Sequence, residues 1–281
     1  MKIAVTGATG QLGSQVIEQL KCRVSNENIV ALVRNTEKAA NLGVETREFD
    51  YSKPDHLSKA LHGIDHLLLI SGTEFGQRTT QHKNVIYAAK EAGVKWIVYT
   101  SLLRADTSHL NLAAEHVETE EILTNSGLEF TILRNGWYSE NYTASVPGAV
   151  SGGAFLGSAA NGKISSAARV DYAEAAAIVL ANETHKGKTY ELAGDEFYTL
   201  SKLAEEISRQ TGKDIPYNNL PEEDYANILK NIGLPEGLAL GLASWDVSAS
   251  HGALFDDSRT LSSILGRPTT PIAESVKVAL Q

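Results

Sequence analysis

The chain has 281 residues, of which 42% are hydrophobic and 21% charged, a composition typical of a globular protein with a sizeable core. Its 25 Lys and Arg against 34 Asp and Glu give a formal net charge of −9, so we expect no nucleic-acid partner, because an acidic chain offers little attraction to a phosphate backbone. The longest apolar runs, such as residues 67–70, are too short to span a bilayer, so we also expect no membrane partner.

The single cysteine and the N-terminal region predict a cytoplasmic protein. Cys22 cannot form an intrachain disulfide, and its place in a helical pattern favours a small buried side chain. The chain runs from Met1 into a short apolar segment and a glycine-rich stretch, without the long hydrophobic region of a signal peptide. We expect a reducing environment and a monomer or homodimer.

Short β-type runs alternate with helical patterns in the first half of the chain. Strands are predicted at residues 2–6, 29–33, 44–49, 66–70, 96–100 and 130–133. Between them, apolar residues recur at helical spacing, as at Leu12, Val16, Ile17 and Leu20. This alternation predicts an α/β fold with a doubly wound parallel sheet (Rossmann), and ligands then bind at the carboxyl ends of the strands.

Three glycines spaced three residues apart follow the first predicted strand, in "TGATGQLG". A strand before them and an amphipathic helix after them are the context of a dinucleotide-binding loop. Gly7 permits a tight turn, Gly10 lets the backbone approach a pyrophosphate, and Gly13 lets the helix pack closely on the strand. The alternative is a glycine-rich turn without a ligand. The predicted cofactor-binding residues of this loop are Gly7, Thr9, Gly10, Gln11, Leu12 and Gly13.

The residue after the second predicted strand indicates which dinucleotide binds. An NAD-specific site places an acidic residue there, whereas this chain has Arg34 followed by Asn35. A guanidinium can form charge-assisted hydrogen bonds with a 2′-phosphate, which a carboxylate would repel. Arg34 therefore predicts NADPH rather than NADH as the cofactor, the alternative being a solvated arginine at a helix start.

Two further strand ends complete the predicted nucleotide cleft. Asp50 and Tyr51 follow the third strand and are predicted to meet the adenine. Ser71 and Gly72 follow the fourth strand and are predicted to lie along the ribose or pyrophosphate. Asp, Ser and Gly are also common turn residues, so turn formation is the alternative for both pairs.

The second half of the chain differs from the first in composition and in its predicted elements. Residues 143–168 are rich in Gly, Ala and Ser and predict a mobile connection over the carboxyl edge of the sheet. Helices are predicted after it at 172–181, 201–210, 222–231 and 258–265, with strands only at 189–192 and 215–217. We therefore predict an NADP-binding Rossmann domain over 1–142, and over 143–281 a glycine-rich connection with a smaller, mostly helical lobe on the substrate side, some of whose segments return to the sheet.

Several motifs together resemble those of one family. They are "AVTGATGQLG", "LLLISG", "YTSLL", "FTILRNGWYSENY", "GKISSAARVDYAEAAAIVL" and, near the C-terminus, "GALFDDS". The chain resembles the NmrA-like branch of the atypical short-chain dehydrogenases almost from end to end. Within this branch it is most similar to flavin-independent bacterial NAD(P)H:quinone oxidoreductases, and more distantly to triphenylmethane reductases.

The resemblance implies a nicotinamide and acceptor site after the sixth strand. It implies that Asn135, Gly136, Trp137 and Tyr138 lie beside the nicotinamide, and it places Arg169 near the cofactor. The physical properties of the side chains suit this site: Trp137, Tyr138 and Tyr142 offer flat apolar surface for an aromatic acceptor, and Asn141 and the Tyr hydroxyls offer hydrogen bonds. The alternative is that some of these aromatic residues are buried core.

The catalytic pair of ordinary short-chain dehydrogenases is missing. Ser101 occupies the serine-like position, but neither the Tyr nor the Lys of the YxxxK motif follows it. His116 matches a position where many relatives keep a lysine, and it could donate a proton near neutral pH, although a solvated or otherwise satisfied histidine is the alternative. No histidine pairing typical of a metal site is present.

Three functions are compatible with these patterns. The first is direct hydride transfer from NADPH to a quinone, with Tyr138 and Asn141 orienting the acceptor and His116 as a proton source; a quinone accepts hydride readily, so a dedicated acid is dispensable. The second is a non-catalytic NADP-sensing regulator of the NmrA type. The third is an NADPH-dependent reductase of another conjugated acceptor, such as an imine, a dye or an enone.

Overall fold

The computed structural model describes all residues 1–281 and contains one large and one small sheet. The strands are β1 (Ile3–Thr6), β2 (Ile29–Val33), β3 (Glu45–Glu48), β4 (His66–Leu69), β5 (Trp96–Leu102), β6 (Glu129–Asn135), β7 (Phe155–Gly157), β8 (Thr189–Leu192) and β9 (Tyr217–Asn219). The large sheet is parallel with the order β3-β2-β1-β4-β5-β6-β8. The order reverses between β1 and β4, and such a switch point opens a crevice at the carboxyl ends of the strands.

Helices cover both faces of the large sheet and build the remainder of the molecule. They are α1 (Gln11–Lys21), α2 (Pro54–Ala60), α3 (Arg78–Ala92), α4 (Ala113–Thr124), α5 (Glu140–Thr143), α6 (Val146–Gly152), α7 (Arg169–Leu180), α8 (Leu200–Thr211), α9 (Glu222–Asn231), α10 (Glu236–Ser250), α11 (Thr260–Leu265) and α12 (Ile272–Ala279). None of these helices combines the length and the apolar character that crossing a membrane requires.

The strands β1, β2, β4 and β5 of the large sheet are buried on both faces, which explains why they are largely apolar. Every residue of β5 is buried, including Trp96 and Tyr99. One face packs against α1, α7 and α11, where Val16 and Ile17 of α1 enter the core. The opposite face packs against α2, α3 and α4. This arrangement confirms the predicted doubly wound Rossmann fold.

The six strands predicted in the first half agree with β1 to β6 within two residues at each end. The seventh strand, β8, comes from the second half of the chain and pairs with β6. In addition, α7 packs against α1. Segments of the second half thus contribute to the large sheet and its cover, and the division into 1–142 and 143–281 stays a prediction.

The glycine-rich segment 143–168 is packed structure rather than the mobile connection that we predicted. It contains α6 and β7, and Phe155 and Ile164 are buried in the core of the C-terminal part. A Cβ at Gly157 would lie 2.7 Å from Asp246 Oδ2, and one at Gly162 would lie 2.4 Å from the carbonyl oxygen of Ala249. These two glycines therefore allow close packing against α10.

The C-terminal part follows the predicted helices, with two differences. The predicted helices correspond to α7, α8, α9 and α11, whereas α10 and α12 were not predicted; the apolar and small residues of α10 do not form a single stripe. The strand predicted at 215–217 is β9, which pairs with β7.

Cys22 is exposed, contrary to prediction, because α1 ends at Lys21 and the cysteine follows the last turn.

Candidate active site

The glycine-rich loop connects β1 to α1 through two close backbone contacts. Gly7 has a φ of +57°, a conformation that other residues adopt only at a cost. A Cβ at Gly13 would lie 2.3 Å from the Gly7 carbonyl oxygen, and one at Gly10 would lie 3.1 Å from the same atom. Because positions 10 and 13 lack side chains, α1 can start directly above the end of β1.

The N-terminus of α1 presents backbone donors to the crevice. Gly10 precedes the helix, and no side chain caps the first turn. The first N–H groups of a helix have no intrahelical partner, so those of Gln11, Leu12 and Gly13 are available to an anion at the positive end of the helix dipole. The side chains of Thr9 and Gln11 are exposed, while Leu12 is buried and anchors the turn in the core.

Arg34 lies directly after β2, at the same edge of the sheet. Its side chain is 75% exposed, and its Nη1 atom lies 3.5 Å from Glu74 Oε1. Exposed ion pairs of this kind contribute about 0–1 kcal/mol, so the guanidinium is readily available to a ligand. Arg34 and Glu74 bring the end of β2 and the loop after β4 together above the crevice.

Asp50 and Tyr51, the predicted adenine contacts, make local contacts at the ends of β3 and β4. The Tyr51 hydroxyl lies 2.8 Å from the carbonyl oxygen of Ile70 and also within hydrogen-bond distance of Thr6 Oγ1, and burial raises the pKa of Tyr51. Asp50 accepts hydrogen bonds from the Ser52 hydroxyl and N–H, which hold the pKa of Asp50 below its usual range. The contact of either residue with adenine stays a prediction.

Ser71 and Gly72 follow β4 and are held by side chains from behind the sheet edge. The Ser71 N–H donates to Thr100 Oγ1 at 2.9 Å, and the Gly72 N–H donates to His82 Nε2 at 2.9 Å. Arg78 Nε donates to the Gly72 carbonyl oxygen at 2.8 Å. None of these three partners was predicted, because only the packing of α3 and β5 brings them to this loop.

The end of β6 contributes an unpaired acceptor. Asn135 is buried, and its Oδ1 atom has no hydrogen-bond partner in the protein. Buried polar atoms are nearly always paired, so this oxygen is available to accept a hydrogen bond from a ligand. A Cβ at Gly136 would lie 2.9 Å from the Leu192 carbonyl oxygen and 3.0 Å from the Tyr172 hydroxyl, so this position requires a glycine.

Tyr138 and Arg169 are brought together at this edge. The Arg169 guanidinium lies 4.8 Å from the centroid of the Tyr138 ring, and Arg169 Nη1 lies 3.9 Å from Glu140 Oε1. Burial raises the pKa of Tyr138, so its hydroxyl stays protonated and can donate a hydrogen bond. The half-buried Asn141 follows on α5, and its side chain makes no hydrogen bond to the protein.

An aromatic group from distant parts of the chain adjoins these residues. The rings of Trp137 and Trp245 lie 5.6 Å apart in an edge-to-face arrangement, and the exposed Phe75 lies 6.2 Å from Trp245. The Tyr142 hydroxyl donates to Asp246 Oδ1 at 3.0 Å. Burial raises the pKa of Asp246 to about 6, against opposing hydrogen bonds. Trp137 and Tyr142 are buried and belong to the core of the C-terminal part.

His116 and Ser101, considered for proton transfer, are both engaged inside the protein. His116 is buried with its Nδ1 atom 2.7 Å from the Tyr99 hydroxyl, and burial, with the nearby positive charge of Arg78, lowers its pKa to about 3. The Ser101 hydroxyl donates to Glu120 Oε1. His116 is therefore a buried, hydrogen-bonded histidine rather than a solvated one, and its catalytic role stays a prediction. No group of His, Cys, Asp or Glu side chains is arranged to hold a metal ion.

Comparison with known proteins gives full-length similarities. Quinone oxidoreductase 2 of Escherichia coli is 58% identical over 277 residues, which cover 98% of this chain and 97% of that protein. The crystal structure of the E. coli NADPH-dependent quinone oxidoreductase in complex with NADPH has a TM-score of 0.97 at 57% identity and covers 99% of this chain and 100% of that one.

A second solved structure extends the similarity to another acceptor. The triphenylmethane reductase of Citrobacter sp. in complex with NADP(H) has a TM-score of 0.96 at 38% identity, covering 99% of this chain and 100% of that one. The model of the NmrA-like family matches residues 1–264. The chain belongs to the NmrA-like family.

Proposed function

We propose that this protein is an NADPH-dependent quinone oxidoreductase that transfers hydride directly from NADPH to a quinone, without flavin. The observation that carries the proposal is the convergence of an uncapped helix N-terminus, the exposed Arg34 and an unpaired Asn135 Oδ1 at one sheet edge, beside a group of aromatic rings. The full-length similarity to the E. coli quinone oxidoreductase supports the same cofactor and acceptor class.

The residues at the sheet edge fit NADPH. The glycine loop and the first turn of α1 would hold the pyrophosphate, and Arg34 would bind the 2′-phosphate. Asn135 would accept a hydrogen bond on its free Oδ1, and Ser71 with Gly72 would lie along the ribose or pyrophosphate. When bound, NADPH supplies the hydride.

The acceptor site is proposed from the aromatic and amide side chains that follow β6. The partly buried Tyr138 would provide flat surface, backed by the buried Trp137, and the Tyr138 hydroxyl and the free amide of Asn141 would orient the quinone carbonyls. One hydride and one proton convert a quinone into a hydroquinone. Holding the quinone ring in reactive geometry is the main contribution of these residues, because effective positioning alone lowers a barrier by several kcal/mol.

Solvent, rather than His116, is the proposed proton source. The His116 imidazole is neutral at working pH and faces Tyr99 in the interior. We therefore predict that His116→Gln leaves the shape of the pH profile of kcat unchanged between about pH 5 and 8, where a catalytic histidine would titrate. Loss of a pH-dependent limb in this variant would instead identify His116 as the acid.

An acceptor screen tests the proposed function. Purified protein without flavin is assayed with quinones, dyes, imines and enones, each with NADPH and with NADH. The proposal predicts quinone reduction with a clear preference for NADPH. Tight binding of NADPH with no acceptor reduced would favour an NADP-sensing regulator, and turnover of a dye or enone alone would favour a reductase of another acceptor.

Location and assembly remain sequence predictions. We propose a cytoplasmic protein that is a monomer or homodimer, in keeping with a single free cysteine, Cys22. Light scattering on the purified protein determines the assembly state.

A further inference from the structure

A network of buried polar side chains lies between α3 and α4, behind the loop that follows β4. Burying polar side chains lowers the stability of a protein unless their hydrogen-bonding groups find partners. We therefore asked what these side chains contact. We call this set the α3–α4 network; its members are Arg78, His82, Tyr99, Glu115, His116 and Thr119.

The network holds one residue of the predicted nucleotide cleft, Gly72, by its N–H and by its carbonyl oxygen. His82 Nε2 accepts the Gly72 N–H at 2.9 Å, and Arg78 Nε donates to the Gly72 carbonyl oxygen at 2.8 Å. Just before it, the Ser71 N–H donates to Thr100 Oγ1 at 2.9 Å. Three backbone groups of the loop, on two neighbouring residues, are therefore fixed by side chains.

The tautomer of His82 is determined by its partners. His82 is fully buried and accepts at Nε2, so its proton lies on Nδ1 and is donated to Thr119 Oγ1 at 3.0 Å. The Thr119 hydroxyl in turn donates to the Glu115 carbonyl oxygen at 2.8 Å. Burial and the charge of Arg78 lower the pKa of His82 to about 3, so the imidazole remains a neutral acceptor for Gly72.

Arg78 is held in place by α4. Its main-chain N–H donates to Glu115 Oε1 at 2.9 Å, and its Nη1 atom lies 3.7 Å from Glu115 Oε2. Arg78 is 5% exposed, so its Nε has little freedom to leave Gly72. The first turn of α3 is thus fixed to α4, and the loop is fixed to the first turn of α3.

The fixed loop leaves one polar side chain free. The half-buried Ser71 hydroxyl makes no hydrogen bond to the protein. A side chain at position 72 would meet Gln81, because a Cβ there would lie 3.1 Å from Gln81 Oε1. The contacts therefore fix the peptide groups on both sides of Gly72 and leave the Ser71 hydroxyl available to a ligand.

We propose that His82 and Arg78 are positioning residues for NADPH: they orient the Ser71 and Gly72 backbone so that this loop is preformed for the cofactor. This inference rests on the proposed NADPH site but not on the identity of the acceptor. Preforming a loop removes part of the ordering cost from binding, so the effect appears in cofactor affinity.

Two polar replacements of His82 separate its contacts. In His82→Gln, the side-chain oxygen can reach the Nε2 position and accept the Gly72 N–H. In His82→Asn, the shorter amide can reach only the Nδ1 position and keeps the contact with Thr119. We expect His82→Asn to raise the NADPH dissociation constant about tenfold, the loss of one hydrogen bond, and His82→Gln to stay within about twofold of wild type. The readout is equilibrium titration of NADPH fluorescence without any acceptor.

Further variants control for a merely structural effect. Tyr99→Phe removes a hydrogen bond inside the same network, the one to His116, without touching Gly72; it should lower the melting temperature yet leave NADPH affinity unchanged. Arg78→Lys keeps the charge but removes the Nε donor, and should weaken NADPH binding severalfold even if His82→Asn does not fold.

Several results would overturn the proposal. They are equal affinities of His82→Asn and His82→Gln, an unchanged affinity in Arg78→Lys, or a loss of affinity in Tyr99→Phe as large as that in His82→Asn. Failure of the wild-type protein to bind NADPH would instead refute the proposed cofactor site itself.

Discussion

At the scale of single residues, the proposed preference for NADPH depends on Arg34. Its guanidinium faces solvent at the end of β2 and its one partner is the exposed Glu74, at 3.5 Å. A 2′-phosphate would be a stronger partner than Glu74, because it carries more charge and accepts several hydrogen bonds. Selectivity for NADPH should therefore depend on this side chain.

Removing the charge of Arg34 should weaken NADPH binding selectively. A charge-assisted hydrogen bond contributes about 1.5–3 kcal/mol, so Arg34→Gln should lower kcat/KM for NADPH about tenfold to hundredfold and leave that for NADH within about twofold. Glu74→Gln is the matched control, because it removes the competing carboxylate; it should improve kcat/KM for NADPH, by at most about fivefold. Equal losses with NADPH and NADH in Arg34→Gln would contradict this role.

Asp246 should make the stability depend on pH. Burial raises its pKa from 3.8 to about 6, so between these values the folded protein holds a proton that the unfolded chain has lost. Stability from this group is therefore present at low pH and lost as the pH rises through about 6, by about 1–3 kcal/mol.

Asp246→Asn should remove this dependence. An amide can still donate to the Tyr142 oxygen and accept the Ser158 N–H, which contact the two carboxylate oxygens in the wild type. The free energy of unfolding of both proteins is measured with urea at pH 5 and pH 8. Groups other than Asp246 contribute equally to wild type and variant, so they cancel when the two free energies are subtracted at each pH. We expect the variant to gain stability relative to wild type at pH 8. If the difference in free energy of unfolding between variant and wild type were the same at pH 5 and pH 8, the assignment to Asp246 would be contradicted.

Local patterns explain which residues could be predicted. Gly7, Gly13 and Arg34 have positions in one strand-loop-helix unit, so their physical roles follow from short-range spacing. Phe75, Trp245, Asp246 and His82 reach the same edge only through tertiary packing, and nothing in the neighbouring sequence distinguishes them from core or surface residues.

At the scale of elements, the junction of β1 and α1 positions the cofactor loop. The close contact between Gly13 and the Gly7 carbonyl lets the helix N-terminus reach the crevice. A methyl group at position 13 would have to displace backbone rather than a flexible side chain. The geometry of the loop therefore depends on the absence of one side chain.

Gly13→Ala should separate α1 from β1. Overpacking of this kind costs about 1–3 kcal/mol, and we expect a lower melting temperature together with loss of NADPH binding. Gly148→Ala, within α6 and with open space around its Cβ position, is the control and should be neutral or slightly stabilising. Gly13→Ala binding NADPH as well as wild type does would disprove the proposed role of the loop.

Elements differ in how far the sequence determines them. Strands β1, β2, β4 and β5 are short, largely apolar runs between helical patterns, and burial on both faces explains that signal, whereas the edge strand β3 is polar and partly exposed. The segment 143–168 was misinterpreted because a glycine looks the same in sequence whether it provides flexibility or close packing, and Gly162 serves the second purpose against α10.

At the scale of the whole molecule, the second half of the chain completes the site. The helix α10 brings Trp245 and Asp246 against Trp137 and Tyr142, which follow β6. The cofactor crevice and the aromatic surface therefore adjoin at the carboxyl edge of one parallel sheet. Sequence patterns could predict the sheet and the crevice, but not which helix supplies the opposite wall, because that depends on long-range packing.

Single-turnover oxidation of bound NADPH tests the central claim most directly. Flavin-free protein saturated with NADPH is mixed rapidly with a quinone, and the loss of NADPH fluorescence is followed together with the hydroquinone formed. Direct transfer predicts one hydroquinone for each NADPH, at a rate far above that of the same reagents without protein, and slower when the transferred hydrogen of NADPH is deuterium. A rate equal to that without protein, or a requirement for added flavin, would contradict the account.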